Sequence, residues 1–557
     1  MKEKINILQI GLEDWSSHIA IPDNISWHYI DPDVILPFLE ERETVSKQRK
    51  QLLKEFKVIS ELKEKTEDED IQIQYQIQLD QLEEQLETLT LVSYQVLILS
   101  DRKYHAKVID FGHEFDAYRI FYPQDWEPEQ KELSDLLYKK VAHRFEWTGR
   151  KELVQTLSKA LFKGQYGAKF KIDELELSPQ FEGKIWYEGQ NYVHLEGEFG
   201  KDFQQIAFFR YNLQAYKEIY YDIYFEHGIE GDCDLELTIS LIQEGSTNHI
   251  VQEWKFQGPQ LKEQLFLDSV VNGYLFFSVA ARGQGKVKLG SCHHRWSRNG
   301  LGEFVLGGER LVDQQMQEIH TFFNPMDFTP PLCVYFSGFR TAEGFEGYRL
   351  IRSLNKPFML ICDPRLIGGG FYLGSDELEA KVVANIQEKL DYLGFDNSQL
   401  ILSGISMGTF GATYYGTKLS PGGIVISKPV LSLGTVALRE KFDRPGGFAT
   451  SLELLHAHYG DLTAESADRL NQRYWSQMKE GIFKDTTISV AYMRDEDYDR
   501  TAFEELVHYS KITGARIHGR GFEGRHNDGG NAPTAWFEKR YRAMIETLLD
   551  RDAANES

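Results

Sequence analysis

The stretch Gln399-Leu-Ile-Leu-Ser-Gly-Ile-Ser-Met-Gly-Thr-Phe-Gly-Ala-Thr-Tyr-Tyr-Gly416 decides how the rest of the chain is read. Its first four residues are an apolar run suited to a buried strand. Gly404 to Gly408 fit G-x-S-x-G, and the small and aromatic residues from Thr409 to Leu419 continue as a helix. Strand, sharp turn and helix is the context in which this motif presents a nucleophile. The turn forces Ser406 into a strained conformation, and the flanking glycines remove Cβ atoms that would clash. The hydroxyl is expected to stand clear of the sheet. The N–H of Met407 would begin a helix whose N-terminus favours negative charge.

Working outward, residues 302–557 alternate between apolar runs and amphipathic segments. Strands are predicted at Leu332–Phe336, Phe358–Cys362, Gln399–Leu402, Ile424–Ile426, Thr487–Tyr492 and Arg516–His518, and helices at Glu377–Tyr392, Met407–Leu419, Phe503–Ile512 and Thr534–Leu549. This is the pattern of a mostly parallel, doubly wound sheet, expected to be α/β-hydrolase-like, with ligands beyond the carboxyl ends of its strands. A serine nucleophile needs a base, and the base an orienting acid; in this fold they follow in the order Ser, Asp or Glu, His. His526 lies in the glycine-rich loop GRGFEGRHNDGGN, just before the last helix, and is the base candidate. Asp495, Glu496 and Asp497 all leave the end of the strand TTISVAYMR, and chain order does not choose among them. His508 and His518 fall on a helix and a strand and are not favoured.

An oxyanion hole needs two N–H donors aimed where charge develops. Met407 is expected to supply one. The loop Tyr335–Tyr348 should supply the other, from Gly338 or Phe339, with Arg340 reaching into the cleft to meet substrate. The glycine-rich loop after Cys362 matches no phosphate-binding motif and is expected to shape the pocket.

Upstream, residues 164–301 carry short β-rich runs separated by glycine, asparagine and acidic residues, which predicts a central β-sandwich or jelly roll. Its aromatic residues, Trp186, Tyr187 and Trp254 among them, are expected mostly to fill the core, although exposed rings there would suit glycan binding. His293 and His294 should point to opposite faces of a strand, a poor arrangement for a metal. Residues 1–163 read as an N-terminal α/β domain with strands at Ile5–Ile10, Ile25–Ile30 and Tyr94–Leu99, and helices around Leu133–Phe145 and Lys151–Phe162. A helical insertion at about 38–90 interrupts it. Within that insertion Ile71, Ile73, Tyr75, Ile77 and Leu79 alternate with polar residues as a strand would, but the glutamate- and leucine-rich sequence that follows favours helix.

Composition narrows the function. A net charge of −23 over 557 residues provides no basic surplus to displace counterions from nucleic acid, and it disfavours direct docking on an anionic membrane. There is no signal-peptide pattern and no apolar run long enough to span a bilayer. Cys233, Cys292, Cys333 and Cys362 are too scattered for a zinc site and read as reduced thiols of a cytoplasmic protein. No dinucleotide or P-loop fingerprint is present, so no cofactor is expected.

Three features together, GISMGTFGATYYG around Ser406, YMRDEDYD around Glu496 and the GRH ending at His526, resemble the second accessory secretory protein of the accessory Sec system of Gram-positive bacteria. The layout extends the resemblance over most of the chain. The resemblance implies Ser406, Glu496 and His526 as a catalytic triad, and it alone selects Glu496 from its neighbours. It further implies participation in export of serine-rich-repeat glycoprotein adhesins, alongside the other accessory secretory proteins and the accessory SecA motor, at most peripherally at the membrane. It also implies O-acetylation of N-acetylglucosamine on the adhesin glycan. The competing expectations are a carbohydrate esterase or deacetylase, and an export scaffold with an idle hydrolase fold.

Overall fold

A computed structural model describes residues 4–443, 447–448, 450–481 and 483–556. The chain forms two compact units, Met1–Leu161 and Phe162–Ser557.

In the first unit five parallel strands form one sheet, in the order Ile25–Ile30, Ile5–Ile10, Val96–Leu99, Ile120–Pro123, His143–Phe145. Leu8, Ile10, Leu97 and Leu99 pack against Val108, Phe111, Leu133 and Leu137 from the covering helices. The insertion is a hairpin of two helices, Ile35–Lys65 and Glu69–Thr88. The Asp68 carboxylate caps the second by accepting from the N–H groups of Asp70 and Ile71, which fixes the ambiguous Ile71–Leu79 segment as helix. Its strand-like alternation follows from apolar residues scattered round the helix: Ile73 and Ile77 are more than half exposed, whereas Leu79 is buried. The helix predicted around Leu133–Phe145 stops at Lys139. Val141 adopts φ 45°, which a β-branched residue cannot hold within a helix, and His143–Phe145 leaves as an edge strand.

In the second unit the β-rich runs expected as separate short strands fuse. Tyr192–Phe209, Tyr220–Gln243 and Gly273–Ser297 are strands of 18, 24 and 25 residues. Nine strands are hydrogen-bonded into one continuous sheet through these long members. The glycines read as turns lie mid-strand. Gly283 pairs with Gly200, and Gly285 pairs with both Gly197 and Gly231. Gly231 and Gly283 have φ of 95° and 86°, so the backbone bends there without a side chain in the way, and pairing resumes beyond. Alternate residues of Gly273–Ser297 are buried, which packs one face of this sheet into its own core.

The remaining sheet has eight strands in the order Gly308–Val312, Glu318–Asn324, Phe358–Cys362, Leu332–Phe336, Leu400–Ile405, Gly423–Ser427, Thr487–Met493, Arg516–Phe522. Glu318–Asn324 is antiparallel to both its neighbours, and from Phe358–Cys362 onward every pairing is parallel. The central strands are buried at every residue but Ile405, as apolar runs covered on both faces require. Three helices absent from the sequence reading, Leu433–Phe442, Thr450–Tyr459 and Ala464–Glu480, lie between Gly423–Ser427 and Thr487–Met493. Among the described residues no helix is long and apolar enough to cross a membrane, and none of the four cysteines is in a disulfide.

Candidate active site

Each site residue follows the carboxyl end of a parallel strand. Ser406 ends Leu400–Ile405 and precedes the helix Met407–Leu419, with φ 55° and ψ −121°. Its N–H donates to the Ser427 carbonyl at 2.9 Å, and its carbonyl accepts from the Thr409 N–H at 2.9 Å and the Thr409 hydroxyl at 2.6 Å. The glycines of the motif act through close approach. A Cβ on Gly404 would lie 2.3 Å from the Gly408 carbonyl, and one on Gly408 would lie 2.0 Å from the Phe336 oxygen.

The loop after Arg516–Phe522 brings His526 Nε2 to 2.8 Å from Ser406 Oγ. Its Nδ1 lies 3.0 Å from each Glu496 oxygen. His526 and Glu496 are 4% and 9% exposed, so little water competes for these bonds. The three consecutive acids divide the work of holding the histidine. Glu496 meets the ring, Asp497 Oδ1 accepts from the His526 N–H at 3.0 Å, and Asp495 Oδ2 accepts from the Gly524 N–H at 3.1 Å. Tyr498 packs its ring edge-on to the imidazole at 4.4 Å, and its N–H donates to Glu496 at 2.9 Å.

The oxyanion candidates separate. The Gly338 N–H donates to Glu346 Oε2 at 2.6 Å, and that bond removes Gly338 as a donor. The Arg340 N–H donates to the Gly368 carbonyl at 3.2 Å. Among the described residues nothing accepts from the N–H of Phe339 or of Met407. A Cβ on Gly338 would be 3.3 Å from the Ile405 carbonyl, which places this loop beside the serine. Arg340 differs from expectation: its Nη1 donates to the carbonyls of Phe345 (2.9 Å) and Gly344 (3.4 Å), so this guanidinium braces its own loop. The loop after Cys362 does approach the site, since a Cβ on Gly369 would collide with the Met407 sulfur.

The sequence reading passed over Asp499. Its Oδ2 accepts from the N–H groups of Leu431 and Ser432, each at 2.7 Å, and burial raises its pKa to about 6. The signal was present as a fourth acid in YMRDEDYD, hidden because the first three already crowded the strand end. Lys428 was also passed over; its Nζ donates to the Asp528 carbonyl at 3.3 Å, and burial lowers its pKa. His294 and His293 face opposite ways as expected. Burial lowers His294 to about 4, whereas His293 sits between Glu226 and Glu343, at 3.0 and 2.5 Å. No group of three or more His, Cys, Asp or Glu among the described residues is arranged to hold a metal.

Ser406, His526 and Glu496 thus form a relay that can pass a proton from a hydroxyl to an imidazole while a carboxylate steadies the resulting cation. Comparison with known proteins places the chain in a lineage. The family model described as accessory Sec system GspB-transporter matches residues 5–551. An accessory Sec system protein of Streptococcus gordonii is 39% identical over 99% of this chain and 100% of its own length. One from Staphylococcus aureus is 38% identical over 78% of this chain and 84% of its own. Among solved structures, a chain of the Glycosylation Associate Protein (Gap123) complex from Streptococcus agalactiae is 41% identical, with a TM-score of 0.87 over 98% of both chains. The chain belongs to the accessory Sec system GspB-transporter family.

Proposed function

We propose that this accessory Sec protein is a serine-dependent O-acetyltransferase that acts on N-acetylglucosamine of an exported adhesin glycan, and that its carboxyl-terminal sheet is an α/β-hydrolase domain. The observation that carries the reading is the unbroken contact from Ser406 Oγ through His526 to Glu496, on a serine held at φ 55°. Ser406 Oγ attacks the acetyl carbonyl while His526 Nε2 takes its proton. Met407 and Phe339 donate to the oxyanion. Collapse of the tetrahedral intermediate breaks the bond to the leaving group, which takes the proton from His526. A sugar hydroxyl then gives its proton to His526 and attacks the acetyl carbon, and the second intermediate collapses as the bond to Ser406 Oγ breaks and the oxygen takes the proton back from His526. Glu496 keeps the imidazole oriented and stabilises its cation. Esterase and transferase chemistry differ only in whether water or the sugar intercepts the acyl-enzyme.

The same proposal includes division at 1–163, 164–301 and 302–557. It also includes action in export with other accessory secretory proteins and the accessory SecA motor, at the cytoplasmic side. Membership of the family and the Glycosylation Associate Protein complex in which the 41%-identical relative was solved support the partner part. Mass spectrometry of the adhesin glycan from wild-type and Ser406→Ala cells tests the reading. Acetyl groups on the glycan are expected to fall to background in the variant while the adhesin is still secreted. An unchanged acetyl content sinks the transferase, and a rise would identify a deacetylase.

A further inference from the structure

Two loops flank Ser406 on the oxyanion side, and both are gripped from outside the eight-stranded sheet. The first, residues 337–347, carries Phe339. The second, residues 363–370, accepts the Arg340 N–H and lies against the Met407 side chain. In the first loop Glu343 is buried, with Oε1 2.5 Å from His293 Nδ1 and Oε2 2.6 Å from Arg295 Nε. The Glu343 N–H donates to the Gly167 carbonyl at 2.9 Å, and the Gln165 amide bonds both the N–H (2.7 Å) and the carbonyl (3.1 Å) of Phe345. In the second loop, the Pro364 and Leu366 carbonyls accept from Lys169 Nζ. Strand register pairs His293 with Lys169 and Arg295 with Gly167. Lys169, His293 and Arg295 therefore come from two neighbouring strands of the nine-stranded sheet.

Burying three cations is an expensive way to join two sheets, because apolar side chains of similar size do so without desolvating charge. What the charged groups add is direction. A guanidinium and an imidazole on one carboxylate fix its plane, and an ammonium shared by two carbonyls fixes a loop backbone. Misplacing an oxyanion donor by a fraction of its bond length forfeits most of its effect. We propose that Lys169, His293 and Arg295 are positioning residues for acyl transfer: acting through Glu343 and the Pro364 and Leu366 carbonyls, they keep the Phe339 N–H aimed at the oxyanion. The inference rests on the acyl-transfer reading.

The test uses the full chain and p-nitrophenyl acetate as the acyl donor, with Glu343→Gln and Lys169→Met compared with wild type after a thermal scan confirms folding. Glu343→Gln is expected to lower kcat by about 10- to 100-fold with KM and the acidic limb of the kcat/KM pH profile unchanged, since substrate contact and the His526–Glu496 pair are untouched. Amide exchange of residues 337–347 should accelerate in the same variant. Lys169→Met should repeat the pattern for 363–370, and it decides the matter if Glu343→Gln does not fold. A folded variant with kcat within twofold of wild type and unchanged exchange overturns the proposal. If wild type itself fails to turn over the ester, the acyl-transfer reading has failed. The clamp is then judged by exchange alone, and unaltered protection of both loops overturns it.

Discussion

At the scale of single residues, the three acids after Thr487–Met493 show what chain order leaves open. From sequence, Asp495, Glu496 and Asp497 are equivalent, because each leaves the same strand end. What separates them is which side chain meets a ring delivered from the next strand's loop, and that depends on the path of residues 523–526. Their partners predict unequal consequences. Glu496→Gln presents an amide to His526 Nδ1 and favours the wrong tautomer, so kcat for acetyl ester turnover should fall by about 10⁴-fold with little change in KM, the size seen when a triad carboxylate becomes an amide. Asp497→Asn keeps an oxygen for the His526 N–H and should cost about 10-fold or less. Equal losses in the two variants, measured by steady-state kinetics, would contradict the assignment of Glu496 as the orienting acid.

At the scale of elements, the strand–turn–helix around Ser406 was the most legible part, because G-x-S-x-G constrains backbone contact: both glycines are required by atoms 2.0 to 2.3 Å from a would-be Cβ. The long strands were illegible for the opposite reason. A glycine mid-strand and a glycine in a turn read alike until cross-strand pairing is known. The helix Ala464–Glu480 was missed although Ala467, Leu470, Tyr474 and Met478 are buried at helical spacing. The loop 337–347 has its own pH signature. Burial pulls the His293 pKa down, but Glu343 and Glu226 outweigh it and raise it to about 9, with Arg295 and Glu318 also facing the ring. The group is protonated more readily in the fold than in the unfolded chain. Its stabilisation is therefore complete below pH 6.5 and lost as pH rises through 9, on the order of 3 kcal/mol at most. The melting temperature should decline between pH 7 and 9.5, and the decline should shrink in His293→Gln when followed by calorimetry.

At the scale of the molecule, a net charge of −23 argues against a nucleic-acid partner without locating any site, because net charge carries no position. The division of the chain into Met1–Leu161 and Phe162–Ser557 predicts how it can be shortened. A fragment of residues 162–557 keeps the loop 337–347 together with the sheet that grips it and should label at Ser406 with a fluorophosphonate at about the full-length rate. A fragment of residues 302–557 lacks Lys169, His293 and Arg295 and should label at least about 10-fold more slowly, if it folds at all. Comparable rates for the two fragments, each shown to be folded by circular dichroism, would detach the antiparallel sheet from the chemistry.

The dihedral angles of Ser406 carry a cost in stability. An L-residue held at φ 55° and ψ −121° stores about 1–3 kcal/mol that only glycine would release, against the roughly 0.5–1 kcal/mol by which glycine loosens the unfolded chain. Glycine there would relax the turn and lose the hydroxyl that meets His526. Backbone ease and that contact are mutually exclusive at this one position.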